Sequence, residues 1–459
     1  MKHNVSLSLV AVLLAAVSSS LAAQERQPTV LTLGQAARLA AEQSGGVAVA
    51  RTRVAQSEAR ALQRRGALIP DLAAGVAQSE RTINSATFGF SFANPVTGQP
   101  LLRPDGEIIG PVPTVDLRYR VQAPLLDLGR YASWRAAQAA TGAVSAEVEV
   151  QADAAAAMAA AVYVRAARAD AQVAARVADS ALAADLLRIA RDQLAAGVGI
   201  ALDVTRAQSQ LAAVRAQLIV ARNERDRTLL ELRRATGLPL DGRLTLGDSL
   251  AGLPREDGAV LRAMTADEPA LATSVRDALS GRADLRALGA QERAQREAAR
   301  AIRWERTPQL GLVVDHGVLG RNWERLLPTY TWGVQLSVGL FDGFRREARL
   351  EEQVALARET DTRLRDLREQ GALEVRAALL DLVSAAEQLD AVQERLALAE
   401  QEVQQARDRF EAGVAGNGDV ITALLSLNQA RTLRIDALAA YQQARVNRSK
   451  AIGSIRQLQ

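Results

Sequence analysis

The strongest constraint on this chain is that it states one plan twice. The landmarks Gly197-Val198, Asp203-Val204, Ala207, Leu211, Ala235 and Gly237 recur without a gap as Gly413-Val414, Asp419-Val420, Ala423, Leu427, Ala451 and Gly453. Chance similarity drifts out of phase, so register kept over about forty residues marks an architectural repeat. Upstream of each copy lies a proline-led strand pair. In the first half Ile69-Pro70-Asp71-Leu72 opens a pair that ends with the run to Leu125; in the second, Thr307-Pro308-Gln309-Leu310 opens one that ends with the run to Leu340. Each half therefore reads helix, β-hairpin, very long helix, turn, long helix. The boundaries that follow are a first repeat over 24–237 with its hairpin near 68–126, and a second over 281–459 with its hairpin near 308–341. Between them, 238–280 is rich in Gly, Asp and Pro and is expected to be an irregular band.

Composition limits what such a repeat can build. Aromatic residues make up only 3% of the 459-residue chain and alanine dominates, which suits close-packed helices with small contact residues better than a bulky globular core. The net charge of +4 is small, and the arginines alternate with Glu and Asp along the helices instead of forming a basic face, so nucleic acid is not an expected partner. Lys2 and His3 precede an apolar run from Val5 to Val17, followed by the small residues Ser20 to Ala23. That is the layout of a secretory signal peptide over 1–23. With no cysteine in the sequence, neither disulfides nor a lipid-modified cysteine is expected, and the chain reads as not lipid-anchored. The alanine-rich stretch from Ala154 to Val164, bounded by Asp153 and Arg165, is too short to span a bilayer.

The strands carry the membrane signal. Tyr330, Trp332, Val334, Leu336, Val338 and Leu340 alternate with small or polar residues, and Val115, Leu117, Tyr119, Val121, Ala123 and Leu125 repeat the pattern. A period of two puts the bulky side chains on one face. A soluble sheet packed on a helix gives the same alternation, but two such hairpins in an exported chain that lacks a bulky core favour a transmembrane barrel. Four strands cannot close a barrel, since the smallest use about eight, so copies of the chain must share one. The segments from about Thr82 to Pro113 and from Gly317 to Thr329 read as the connecting loops, a long one and a shorter one.

The helices are long. No proline interrupts Arg130 to Ala195 or Arg345 to Ala412, and at 1.5 Å per residue each helix would reach about 100 Å. Leu389, Val392, Leu396, Ala399, Val403, Ala406 and Phe410 step by three and four, as do Val204, Ala207, Leu211, Val214, Leu218 and Ala221, which is coiled-coil spacing. Thr32 with Gln35 predicts a capping box at the first helix.

No catalytic constellation is present. His3 and His316 are the only histidines, so neither a catalytic base cluster nor a histidine metal site is expected, and no cofactor. Gly413 to Gly418 is glycine-rich but lacks the lysine and the preceding strand that a phosphate loop needs. An exported enzyme therefore has no candidate site. Asp203 and Asp419 each follow a turn, where an aspartate ordinarily caps a helix and meets its dipole.

In order and duplication, several features resemble the TolC family of outer-membrane efflux proteins. They are Leu31-Thr32-Leu33 with Ala36, Gly281-Arg282-Ala283-Asp284-Leu285-Arg286, the junctions Pro124-Leu125-Leu126-Asp127 and Gly339-Leu340-Phe341-Asp342, and the two Gly-Val turns. The resemblance runs from about Leu31 to Ile455. It implies a mainly α chain with membrane β: a homotrimer in which a long α-helical coiled-coil barrel continues a 12-stranded transmembrane β-barrel, four strands from each copy. It implies a place in the outer membrane of a Gram-negative bacterium, in contact with its lipid and with a long periplasmic portion. The implied role is a passive exit duct of a tripartite efflux or type I secretion system, whose partners are a periplasmic adaptor and an inner-membrane pump of RND, ABC or MFS type. The competing reading is a structural coiled-coil or adaptor protein without a channel.

The same resemblance assigns sites. Asp419 matches a position where the family narrows the periplasmic mouth with an acidic ring, with Asp203 as its first-half counterpart, for which capping is the preferred role. The family's second acidic position is Thr422 here, so a ring would be single. Phe410 and Ala415 stand where the best-known member has a tyrosine and an arginine that link the closed state. Gly197, Val198, Gly413 and Val414 are the expected adaptor-contact turns.

Overall fold

The computed structural model describes residues 29–88, 93–103 and 105–458, so the leader expected at 1–23 lies outside it. The chain divides into two compact units. One holds the described part of residues 1–52 with 145–287 and 363–459, and the other holds 53–144 and 288–362. The helices are α1 (Leu33–Gln43), α2 (Gly45–Gly66), α3 (Leu128–Ala195), α4 (Ala201–Thr236), α5 (Gly258–Ala266), α6 (Glu268–Gly281), α7 (Ala283–Trp304), α8 (Arg345–Glu411) and α9 (Asn417–Ala451). The duplication persists in their lengths: α2 and α7 have 22 residues each, α3 and α8 have 68 and 67, α4 and α9 have 36 and 35. No helix is long and apolar enough to cross a membrane among the described residues.

The second unit is built on one sheet. Strands β2 (Asp71–Asn84), β3 (Ile108–Leu126), β5 (Gln309–Gly320) and β6 (Leu326–Ser337) pair antiparallel in that order. The two hairpins, separate in sequence, are thus joined through β3 and β5. Register aligns the apolar rows across all four strands: Leu72, Val121, Val314 and Trp332 lie side by side, and so do Ala74, Tyr119, His316 and Tyr330. His316 belongs to this apolar face, its ring 5.3 Å from that of Tyr119. The opposite face aligns Ala73, Arg120, Asp315 and Thr331, and Arg120 donates to Asp315 at 2.6 Å.

The strands run further into the expected loops than the alternation indicated. Pro111 and Pro113 suggested a loop because proline has no N–H to give a ladder. They lie inside β3, where the pairing with β2 shifts between Arg81 and Ile83 and relaxes the ladder beside them. At the other end, β6 stops at Ser337, short of Leu340.

The first unit is mainly helical and its core mixes alanine with leucine: Ala36, Ala37, Ala156, Ala160 and Ala166 are fully buried beside Leu33, Leu382 and Leu389. The expected capping box forms, with Gln35 N–H donating to Thr32 Oγ1 at 3.3 Å and Thr32 N–H to Gln35 Oε1 at 3.0 Å. The band at 238–280 departs from expectation. It contains β4 (Leu244–Leu246), which pairs parallel with β1 (Thr29–Leu31), and the helices α5 and α6. The Asp residues read as loop formers are caps: Asp257 accepts from Ala259 N–H and Asp267 from Ala270 N–H.

Two buried tyrosines hold this band. The Tyr163 hydroxyl accepts from Asp248 N–H at 3.0 Å and donates to Asp248 Oδ2 at 3.3 Å, while the same carboxylate accepts from Leu33 N–H at 2.9 Å. Burial pushes the Tyr163 phenol up, so it remains a neutral donor. Tyr441 accepts from Glu256 N–H at 2.7 Å. At the start of α7, Arg282 donates to Asp284 at 2.7 Å and to Glu374 at 2.6 Å. Burial alone would push the Asp284 carboxyl up, but the guanidinium prevails and holds it below the usual carboxylate value.

Replacing Tyr163 by Phe leaves the half-buried Asp248 N–H without its partner, a loss of about 1–3 kcal/mol. Hydrogen exchange should accelerate about 5- to 150-fold at residues 244–250 and stay unchanged in the sheet. Unchanged exchange at 244–250 would show that the band is held by other contacts.

Candidate functional site at the paired helical turns

The features singled out by the repeat lie together in the first unit. The end of α3 turns into α4 through residues 196–200, and α8 turns into α9 through 412–416. Both turns close by the same hydrogen bonds: Val198 N–H reaches Gln193 O and Gly197 N–H reaches Leu194 O, as Val414 reaches Arg409 O and Gly413 reaches Phe410 O. This 6→1 pattern is a Schellman motif. It places Gly197 at φ 79° and Gly413 at φ 72°, in the left-handed region that glycine alone enters without strain. The shared dipeptide is thus a backbone requirement, and the valine after each glycine is 80% and 73% exposed.

The four helix ends pack on one another. Leu186, Leu187 and Ala190 of α3, Ala207 and Leu211 of α4, Val403 and Phe410 of α8, and Val420, Ala423 and Leu427 of α9 form one buried cluster. These include residues of the three-and-four stepping series in both halves. Phe410, at the position where the resemblance puts a closing tyrosine, is a buried member of this cluster, 3% exposed.

Two polar side chains join the copies across this cluster. Gln193 Nε2 donates to Phe410 O at 3.1 Å, and Asn417 Nδ2 donates to Asp203 O at 2.9 Å. Asn417 is fully buried and its Oδ1 has no partner. Deeper in, the buried Asp179 carboxylate accepts from Arg431 at 2.7 Å and Arg176 at 3.1 Å, and Arg176 also donates to Thr432 at 2.6 Å. Sequence reading missed Asn417, Gln193 and Asp179. Asn417 sits in a Gly-Asn-Gly run that reads as a solvent-exposed turn, and its partner is 214 residues away.

The aspartates are corrected in one respect. Neither caps its helix: the cap positions are Ile200 and Gly416, and Asp203 and Asp419 fall inside the first turns of α4 and α9. There they still favour the positive end of the helix dipole, worth about 0.3–1 kcal/mol each. Asp203 is half-buried and Asp419 exposed, so only Asp419 presents its charge fully to solvent within one chain. Thr422 follows on α9, its hydroxyl turned back to Gly418 O at 2.9 Å. Among the described residues no group of His, Cys, Asp or Glu is arranged to hold a metal ion.

Comparison with known proteins agrees with this architecture. Residues 274–454 match the family described as outer membrane efflux protein. The fold is shared with the Vibrio cholerae outer membrane protein VceC (TM-score 0.69, 17% identity, covering 92% of this chain and 96% of that one). It is also shared with the open state of the Neisseria gonorrhoeae MtrE outer membrane channel (0.70, 16%, 93% and 90%) and with the Campylobacter jejuni CmeC outer membrane channel (0.69, 15%, 92% and 85%). No curated protein matches the sequence significantly.

Asn417→Ala removes the link to Asp203 O. At about 1–2 kcal/mol for one buried hydrogen bond, local opening should become about 5- to 30-fold more frequent, read as faster exchange at residues 201–207 and 417–423. Exchange confined to 417–423 would mean that the side chain merely starts its own helix.

Proposed function

We infer that this chain, whose residues 274–454 carry an outer membrane efflux protein domain and whose fold is of TolC type, is one subunit of a passive exit duct in the outer membrane of a Gram-negative bacterium. The observation that carries the reading is the sheet. Four antiparallel strands present an apolar face in register, with Trp332 68% and Leu72 69% exposed, and both outer strands, β2 and β6, leave an edge without a partner among the described residues. In hydrocarbon such edges must be paired, so copies of the chain close the barrel. Three copies give twelve strands. An adaptor-like protein without a channel has no use for this face.

In the trimer the long helices form the periplasmic tunnel and the turns at Gly197-Val198 and Gly413-Val414 face a periplasmic adaptor coupled to an inner-membrane pump. Their exposed valines supply apolar contacts of the kind an interface centre uses. Asp419, brought close to its copies by a threefold axis, forms a single acidic ring that attracts cations and slows anions at the mouth, with Asp203 set back from it. The closed state rests on the packing of Phe410 and on the Asn417 and Gln193 links in place of a tyrosine and arginine.

Purified protein should run as a trimer in mild detergent and conduct in planar bilayers with preference for cations; monodisperse single subunits, or silence in the bilayer, reject the duct. Multivalent cations added on the periplasmic side should block, and Asp419→Ala should weaken the block about tenfold, a change of about 1.4 kcal/mol. Undiminished block would remove Asp419 from the mouth. Val198→Glu and Val414→Glu should lower export in cells while the trimer yield holds; loss of trimer would make them folding positions.

A further inference from the structure

Where α3, α8 and α9 come together in the first unit, their side chains leave a space unfilled. With the chain at the start of α7 they enclose a cavity of about 400 Å³. Its lining positions on each helix lie three or four residues apart, so each helix turns one face toward it. Every one of those faces carries alanine: Ala154 on α3, Ala377 and Ala378 on α8, and Ala451 on α9. Methyl groups are too small to close the space, and they give it an apolar floor.

Polar groups stand around that floor, and most are already paired. The buried Arg282 holds Asp284 at 2.7 Å and Glu374 at 2.6 Å, and Asp153 accepts from Arg456 at 2.6 Å. Two charges are unpaired. Asp381 of α8 and Lys450 of α9 line the same cavity, yet among the described residues they pair neither with each other nor with any other side chain. One turn before Lys450, Asn447 accepts from Gln443 Nε2 at 3.0 Å through its Oδ1, which leaves its amide N–H groups to face the cavity without a partner among the described residues. The wall made by α9 thus offers two donors, one of them cationic, and the wall made by α8 offers a carboxylate.

Lys450 is also the one lysine among the described residues, where arginine supplies every other long cation. An ammonium is a compact point charge on a flexible stem and lacks the planar fork with which arginine commits to a neighbour. Solvation accounts for any single free charge on a surface. Opposite free charges on two helices around one apolar hollow have a more specific use, because they match a molecule that carries both signs.

We propose that this cavity binds a small amphipathic zwitterion of amino-acid type. The Lys450 ammonium and the Asn447 amide take its carboxylate, Asp381 takes its ammonium, and its apolar body lies on the alanines. Ligand sites commonly have this make-up, a mostly apolar hollow of about 300–1,000 Å³ with a few placed polar groups. Exposed ion pairs contribute little singly, so a ligand with one charge leaves the opposite wall unanswered and binds more weakly. The proposal goes beyond the duct reading and does not rest on it.

Lys2 is the only other lysine in the sequence, so labelling with [ε-13C]lysine gives full-length protein in mild detergent at most two lysine signals, and Lys450→Arg identifies the one at 450. The probe is L-phenylalanine, compared with phenethylamine, which keeps only the cation, and hydrocinnamate, which keeps only the anion. The Lys450 signal should shift saturably with phenylalanine, and each analogue should need about tenfold more for half-saturation, as expected for loss of one charge-assisted hydrogen bond. Asp381→Asn should weaken phenylalanine about tenfold and leave hydrocinnamate unchanged. Asp381 is exposed, so the variant should keep its fold, which circular dichroism checks. No saturable shift, hydrocinnamate binding as tightly as phenylalanine, or phenylalanine binding unmoved by Asp381→Asn overturns the site, while conductance of the same protein decides the duct separately.

Discussion

A backbone N–H or C=O cannot be left unpaired in hydrocarbon, and this one rule organises the molecule. Inside the sheet every strand has a neighbour, but among the described residues β2 and β6 each keep one open edge. An edge in water is an aggregation hazard, and in a bilayer it is untenable. A neighbour that completes the sheet must offer the complementary edge, which in the proposed duct is another copy. On the proposed function, closure by copies puts a lumen on the polar face of Arg118, Arg120 and Asp315 and lipid on the face of Trp332 and Tyr330.

The helices solve a different problem. Small contact residues let long helices pack closely, and alanines from Ala156 to Ala430 alternate with larger ones such as Leu187, Leu211 and Phe410 in their contacts. The duplicated turns keep identical Schellman closures, yet the side chains that join them have diverged. Asn417 has Ala201 as its counterpart, Gln193 has Arg409 and the buried Phe410 has the partly exposed Leu194. Divergence falls on the residues that cross from one copy to the other, because those contacts are no longer equivalent once two halves of one chain face each other.

Much of this was legible from residue order. The capping box at Thr32, the two glycine turns, the three-and-four stepping toward Phe410 and the alternation on β6 are local consequences of backbone geometry, and local geometry is what sequence spacing encodes. The connecting band was misread because Asp, Gly and Pro mark loops and helix starts alike, and Asp257 and Asp267 chose the latter. Prolines hid the first part of β3 for a similar reason, since only the shift in its pairing with β2 makes room for them.

The sequence by itself determined the duplication, the helix and strand types, the composition and the glycines at the two turns. The tertiary structure alone decided that β3 joins β5, that Asn417 is buried against Asp203, that Tyr163 holds Asp248, and that Arg346 ties Gly339 and Asp342 to Glu305. The division has a physical cause. Propensity, capping and turn conformation depend on neighbours within a few residues, whereas burial, pairing and strain depend on groups brought together from distant parts of the chain, whose free energies no local pattern records.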